Sequence, residues 1–229
     1  MSTSPSKIVC VGRNYAEHAK ELGNVIPDRP ILFMKPASSL ATLAQGITWN
    51  KALGECHYEC EICLQIAHPL SGETDREKVL EAVGALTLGL DLTLRDLQGE
   101  LKAKGHPWER AKAFDGACIL GEWIETDEIG DLQELELILT INGAERQHGF
   151  TKDMIFDIAD LLIDINQAFS LQTGDVIMTG TPAGVGALQP NDQLTLKLIT
   201  QSGEYDWNTF VRPLSCIYNM LRVKSESSQ

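Results

Sequence analysis

The stretch 56–67 sets two glutamates into what otherwise reads as a buried β strand. His57-Tyr58-Glu59-Cys60-Glu61 runs directly into Ile62, Leu64, Ile66 and Ala67. Side chains alternate faces along a strand, so Glu59 and Glu61 share a face, their roots roughly 6.6 Å apart at about 3.3 Å of rise per residue. Two carboxylates that close, heading into an apolar strand, repel each other and lose hydration. A cation relieves both penalties, and oxygen-only ligands on one rigid strand suit a hard divalent ion, Mg²⁺ or Mn²⁺. The same pair also suits the solvated outer face of an edge strand, and the motif alone does not choose between the two.

The rest of the chain supplies the fold class. Short β runs are expected at 7–11, 31–36, 47–49, 84–92, 117–123, 193–199 and 205–211, with a hairpin of 135–142 and 144–149 turning at Asn142-Gly143. Helices are expected at 16–22, 75–83, 94–104 (capped by Thr93) and, behind Thr151, where Met154, Ile158, Leu161, Leu162, Ile165 and Phe169 recur at helical spacing. Asp157, Asp160 and Asp164 fall on the opposite side of that last helix and read as a solvated face. Strands dominate and the helices do not alternate regularly with them, so the pattern is mixed β-rich α+β and not a doubly wound βαβ fold.

Three further places carry chemistry. His18 and Glu21, at i and i+3 of the short helix, can touch; a carboxylate beside an imidazole fixes its tautomer and raises its basicity, as a general base needs, although surface pairs of this kind are common. Asp91 is the one charge in the apolar run 84–92, and with Thr93 available as the helix cap it is not needed for that task. The loop Thr179-Gly-Thr181-Pro-Ala-Gly184-Val-Gly186 lacks the Gly-Lys-Ser/Thr of a phosphate loop, but its backbone N–H groups and the Thr181 hydroxyl could cradle a carboxylate. Cys60-Glu-Ile-Cys63 is formally a CxxC. There is no second pair for zinc, and on a strand the two thiols point to opposite faces.

The net charge of −13 disfavours binding to duplex nucleic acid. No apolar run approaches the roughly 18 to 20 residues of a membrane span, and the first residues lack the apolar segment of a secretory signal. The six cysteines then read as reduced core residues of a cytoplasmic protein. Residues 1–6 are expected to be a flexible lead-in, 7–213 a single catalytic domain, and 214–229 a C-terminal segment with a frayed tail.

Taken in order, Gly12-Arg-Asn-Tyr-Ala-Glu-His18, Leu32-Phe-Met-Lys35-Pro36, His57-x-Glu59-x-Glu61, Leu90-Asp91-Leu-Thr-x-Arg95-Asp96-x-Gln98, Pro107-Trp108 with Ala111-Lys112-x-Phe114-Asp115, and the 179–186 loop resemble the fumarylacetoacetate hydrolase family, in its short branch of acylpyruvate hydrolases and oxaloacetate decarboxylases. That resemblance implies a β roll or pseudo-barrel, a homodimer, and one Mg²⁺ or Mn²⁺ per chain. By position it implies Glu59, Glu61 and Asp91 as metal ligands, His18 with Glu21 as catalytic dyad, and Arg13, Gln98, Lys112 and Thr181 as substrate-orienting groups. Relatives often carry His-His before the first glutamate, where this chain has His57-Tyr58. The implied substrate is a small 2-oxo acid that chelates the ion. The first expectation is hydrolysis of the C–C bond of an acylpyruvate through a metal-stabilised enolate. The alternatives on the same chemistry are oxaloacetate decarboxylation, keto–enol tautomerisation, or isomerisation or decarboxylation of 2-hydroxymuconate-type aromatic catabolites; from another class, the alternative is a non-enzymatic metal-binding protein on the same fold.

Overall fold

The computed structural model describes residues 5–23 and 25–213; the first four residues of the expected lead-in and the 214–229 segment, with Cys216, lie outside the described residues. Ser6 and Lys7 are tied down through hydrogen bonds to the Asp175 carboxylate. The fold is strand-dominated α+β with its main sheet curled into a half-barrel. Seven strands of that sheet run in the order Ile31–Lys35, Ile8–Gly12, Val176–Met178, Cys60–Ile66, Val83–Asp91, Cys118–Leu120 and Leu40–Thr42, and Ile124–Glu125 pairs with Val83–Asp91 off this path. Ile8–Gly12 is parallel to Val176–Met178, and Leu40–Thr42 to Cys118–Leu120; the other neighbours are antiparallel.

Both faces of this sheet are covered, which is why its strands read as continuous apolar runs. Val9 and Val11 join the main core, whereas Ile8 and Cys10 join a smaller cluster with Cys63, Cys118, Val176 and Met178. Cys60 belongs to the first cluster and Cys63 to the second, so the CxxC thiols do face opposite ways. A second sheet, Ala144–Phe150, Glu136–Ile141, Gln193–Ile199 and Glu204–Phe210, is antiparallel throughout. Its hairpin turns where expected, with Asn142 and Gly143 both left-handed (φ 54° and 78°), the two-residue turn whose twist matches the strands. Among the described residues no helix is long and apolar enough to cross a membrane.

The stretch 56–67 is not one strand. It breaks at Glu59: Cys56–Tyr58 pairs with Gly186–Ala187 and Thr93–Leu94 in a small third sheet, and Cys60–Ile66 enters the large one. At the break the Cys60 N–H donates to the side chain of buried Gln147 at 2.9 Å. Other expectations shift as well. The 47–49 strand reduces to a single bridge, Ile47 to Val211. Thr93 does not cap the Arg95–Ala103 helix; it sits in a strand and its hydroxyl donates to the Asp91 carbonyl. Thr151 begins only a short 3-10 turn, Thr151–Asp153, and anchors Leu135, while Asp157 caps Ile158–Ala168 by accepting the Asp160 N–H at 2.8 Å. The acids of that helix stay at the surface, Asp157 and Asp160 paired with Arg76 and Asp164 with Arg29. The segment 107–115 contains a one-turn helix, Glu109–Lys112.

Candidate active site

The sheet register brings the acids together. Cys60 pairs with Leu90 and Glu61 with Gly89, and one step further the Asp91 N–H donates to the Glu59 carbonyl at 2.9 Å. Residues opposite one another on antiparallel strands share a face, and so do residues two apart. Glu59, Glu61 and Asp91 therefore converge, with a ligand oxygen of each within 4.8 Å of the others. They are 6%, 1% and 1% exposed, which removes the solvated-edge alternative for the ExE pair.

Three buried carboxylates need compensation, and three cations supply part of it. Lys112 donates to Glu59 Oε2 and Asp91 Oδ2, each at 2.7 Å, and Lys35, fully buried, lies 2.8 Å from Asp91 Oδ1. Arg95 also pairs with Glu59. These partners hold the Glu59 carboxyl well below its usual range against the pull of burial, and raise the Lys112 ammonium. Glu61 is left out. Its Oε2 accepts the Gly180 N–H at 2.8 Å, but among the described residues no lysine or arginine reaches it. Burial, then Asp91, then Glu59, push its pKa well above the ordinary value. Asp91 Oδ1 accepts no aligned hydrogen bond despite the nearby Lys35. An all-oxygen cluster with one acid lacking a counter-charge and one with an orphaned buried oxygen fits a hard divalent cation.

His18 enters from the Ala16–Glu21 helix. It is 5% exposed, and its Nδ1 lies 3.3 Å from Glu21 Oε2. A carboxylate only accepts, so Nδ1 carries the proton of the neutral ring and Nε2 is the free lone pair. Glu21 is fixed in turn by the Gly184 N–H at 3.2 Å. The glycine loop does cradle carboxylates as its sequence suggested, but they are the protein's own: Glu61 through Gly180 and Glu21 through Gly184. Thr181 faces the same cavity, with its hydroxyl donating to the Cys60 carbonyl and accepting from Gln147.

One small cavity, about 30 Å³ in volume, is lined by Arg13, His18, Glu59, Glu61, Asp91, Gln98, Lys112 and Thr181. Of the residues singled out in the sequence only Glu21 stands behind its wall, supporting His18. Gln98 accepts from Arg95 at 2.9 Å. Sequence reasoning gave no role to Lys35, Arg95, Lys102 or Gln147. A lone lysine ending the apolar run Ile31–Lys35 is the same kind of signal as a lone aspartate ending Val83–Asp91, and it would have flagged Lys35. Lys35 Nζ also donates to the Leu92 and Lys112 carbonyls. Lys35→Met should therefore destabilise the protein by about 3–5 kcal/mol in urea unfolding, the usual effect of stripping one partner from a buried ion pair; a loss below about 1 kcal/mol would show that Lys112 alone suffices for Asp91.

A strand-dominated α+β fold whose inner cavity gathers three carboxylates and a carboxylate-backed histidine defines a narrow class of small-ligand site. The chain belongs to the fumarylacetoacetate hydrolase family: residues 7–208 match the family profile described as Fumarylacetoacetate (FAA) hydrolase C-terminal. It is 46% identical over 192 residues to oxaloacetate tautomerase YcgM of Escherichia coli (strain K12), covering 83% of this chain and 87% of that one. It is 40% identical over 193 residues to the mitochondrial oxaloacetate tautomerase fahd-1 of Caenorhabditis elegans, covering 84% and 90%. A solved structure of fumarylpyruvate hydrolase from Pseudomonas aeruginosa, in complex with Mn²⁺ and pyruvate, superposes with a TM-score of 0.82 at 30% identity, over 90% of this chain and 89% of the other.

Proposed function

We propose that the protein is a divalent-metal-dependent keto–enol tautomerase of oxaloacetate, with Glu59, Glu61 and Asp91 holding one Mg²⁺ or Mn²⁺ and His18 moving the proton. The observation that carries this reading is the His18–Glu21 pair opening onto the same small cavity as the three carboxylates; the tautomerase relatives supply the substrate. A bound ion would act as a Lewis acid, taking up negative charge that develops on the keto oxygen of a 2-oxo acid. His18 Nε2 removes a C3 proton, the C–H electron pair becomes the C2=C3 bond, the C2=O π pair moves onto the oxygen, and the imidazolium returns its proton there to give the hydroxyl; the reverse sequence returns the keto form. Glu21 orients the ring and stabilises the imidazolium formed in passing. Lys112 and Arg95 keep Glu59 ionised and fixed. The test follows the ultraviolet absorbance of the enol as it converts to keto oxaloacetate with Mg²⁺ present. No acceleration over buffer and metal alone would overturn the assignment.

A second reading, hydrolysis of an acylpyruvate by water activated on His18, is favoured by the fumarylpyruvate hydrolase likeness. Turnover of acetylpyruvate faster than tautomerisation of oxaloacetate would put it first. The homodimer belongs to the same proposal, and a monomer mass by light scattering would remove it.

The pH profile checks the base. Burial lowers the His18 pKa, with Glu59 and then Glu21 pulling it back up. The base works in its neutral form, so activity should rise with pH along an acid limb lying below the ordinary histidine value of about 6.5 and be level at neutrality. Glu21→Gln removes a charge that raises this pKa. Its acid limb should shift to lower pH, and its plateau should fall about tenfold as the ring loses its orientation. A limb that stays put would detach Glu21 from His18.

A further inference from the structure

The cavity contains two cations that no acid neutralises. Arg95 and Lys112 pair with the buried carboxylates, but among the described residues Arg13 and Lys102 have no carboxylate within ion-pair distance. Arg13 is held in the left-handed region (φ 60°), immediately after the Ile8–Gly12 strand, and its buried Nε has no hydrogen-bond partner. Lys102 sits on the Arg95–Ala103 helix at i+7 from Arg95 and i+4 from Gln98, so one helix face presents all three to the cavity. Its ammonium is kept 5.0 Å from the centre of the Trp108 ring, a contact that holds the charge in place without cancelling it. Burial, then Arg13, Arg95 and Lys112, lower its pKa to about 8, so at neutral pH it carries charge that an anion would stabilise.

Depth orders these groups. The three carboxylates and Lys112 are buried at the cavity floor, while Arg13 and Lys102 are only partly covered. Arg13 and Lys102 line the same cavity as the floor groups, so the far end of a 2-oxo acid gripped at the floor would lie towards them. We infer that Lys102, with Arg13, is the clamp for the distal carboxylate of a dicarboxylic 2-oxo acid, selecting dicarboxylates over monocarboxylates and holding that carboxylate on during tautomerisation. The second part follows from charge. Loss of CO₂ breaks the C3–C4 bond, leaves the electron pair on C3 and converts the C4 carboxylate into a neutral molecule. Cations beside that carboxylate stabilise the reactant more than the transition state, and so slow decarboxylation. Removal of a C3 proton leaves the carboxylate charge intact and escapes this penalty.

This inference rests on the proposed chemistry for its substrate, and a binding measurement separates the two. Calorimetry on the Mg²⁺-supplied protein compares malate with 2-hydroxybutanoate, which has a methyl group in place of the distal carboxylate. The wild type should bind malate about tenfold or more tightly, Lys102→Met should bring the two within about twofold, and Lys102→Arg should restore most of the preference. With oxaloacetate, Lys102→Met should also raise the ratio of CO₂ released to enol converted. No preference in the wild type, or a preference that survives in Lys102→Met, overturns the clamp. A Lys102-dependent preference in a protein that fails to accelerate tautomerisation overturns the reaction assigned above and supports the clamp.

Discussion

Replacing His18 by alanine should lower the rate of oxaloacetate tautomerisation by about 10²- to 10⁴-fold, the span that a positioned general base contributes. Within the described residues no other imidazole lines the cavity, and the remaining polar groups there are poorly placed to substitute. Lys112 is held by two carboxylates and carries a raised pKa, so it keeps its proton. Lys102, whose pKa burial lowers to about 8, is only partly covered and stands apart from the buried carboxylates. His18 is nearly fully buried, so alanine also leaves a small void. His18→Gln, closer in volume, separates the effects: both variants should lose turnover alike, while the glutamine variant keeps more of the thermal stability. Mn²⁺ binding, read calorimetrically, should survive in both. Full tautomerase activity in either variant would refute the base.

The second large effect concerns Glu61. In Glu61→Gln, Mn²⁺ should raise the melting temperature far less than in the wild type. For the wild type, an ion at a hundredfold excess over its Kd adds about 2.7 kcal/mol of stability, and that increment should fall by most of its value. The metal-free comparison should run the other way. Glu61 is buried, pairs with no lysine or arginine among the described residues and faces two other acids, so folding raises its pKa above the ordinary 4.5. A group with a raised folded pKa favours the folded state when protonated, and that contribution is lost as pH climbs from about 4.5 through the raised value. The metal-free wild type should lose stability over that window, whereas the glutamine variant, which can still accept the Gly180 N–H, should not. Scanning calorimetry across pH with and without Mn²⁺ reads both halves. A metal-induced rise in Glu61→Gln equal to the wild type's would remove Glu61 from the ligand set.

Much of the cavity wall was legible because its signals are local. Two glutamates two residues apart, a lone aspartate ending an apolar run, and a histidine three residues before a glutamate each follow from the period of one element. The convergence of these elements was not local. Nothing between residues 59 and 91 states that Glu59 will lie opposite Asp91; that depends on a register set by the pairing of Cys60–Ile66 with Val83–Asp91. The break at Glu59 was hidden for a related reason. The run around it alternates as an unbroken strand would, and the bend depends on Gln147, 87 residues away, receiving the Cys60 N–H. The helix boundaries at 95 and 158 moved because Thr93 and Thr151, good caps by composition, were used elsewhere by the sheets.

The loop that carries Gly180 and Gly184 has a consequence for how such a site can change. It grips the third carboxylate with one N–H and the partner of the histidine with another, and at Gly184 (φ +98°) a Cβ would collide with the Arg146 carbonyl. The two halves of the chemistry thus share a single mount and cannot be adjusted separately from that side. A new reaction is more easily reached through the opposite wall, where the Arg95–Ala103 helix can exchange Lys102 while the mount stays as it is. The fold in effect divides the cavity into a fixed half that generates reactivity and an editable half that decides what is offered to it.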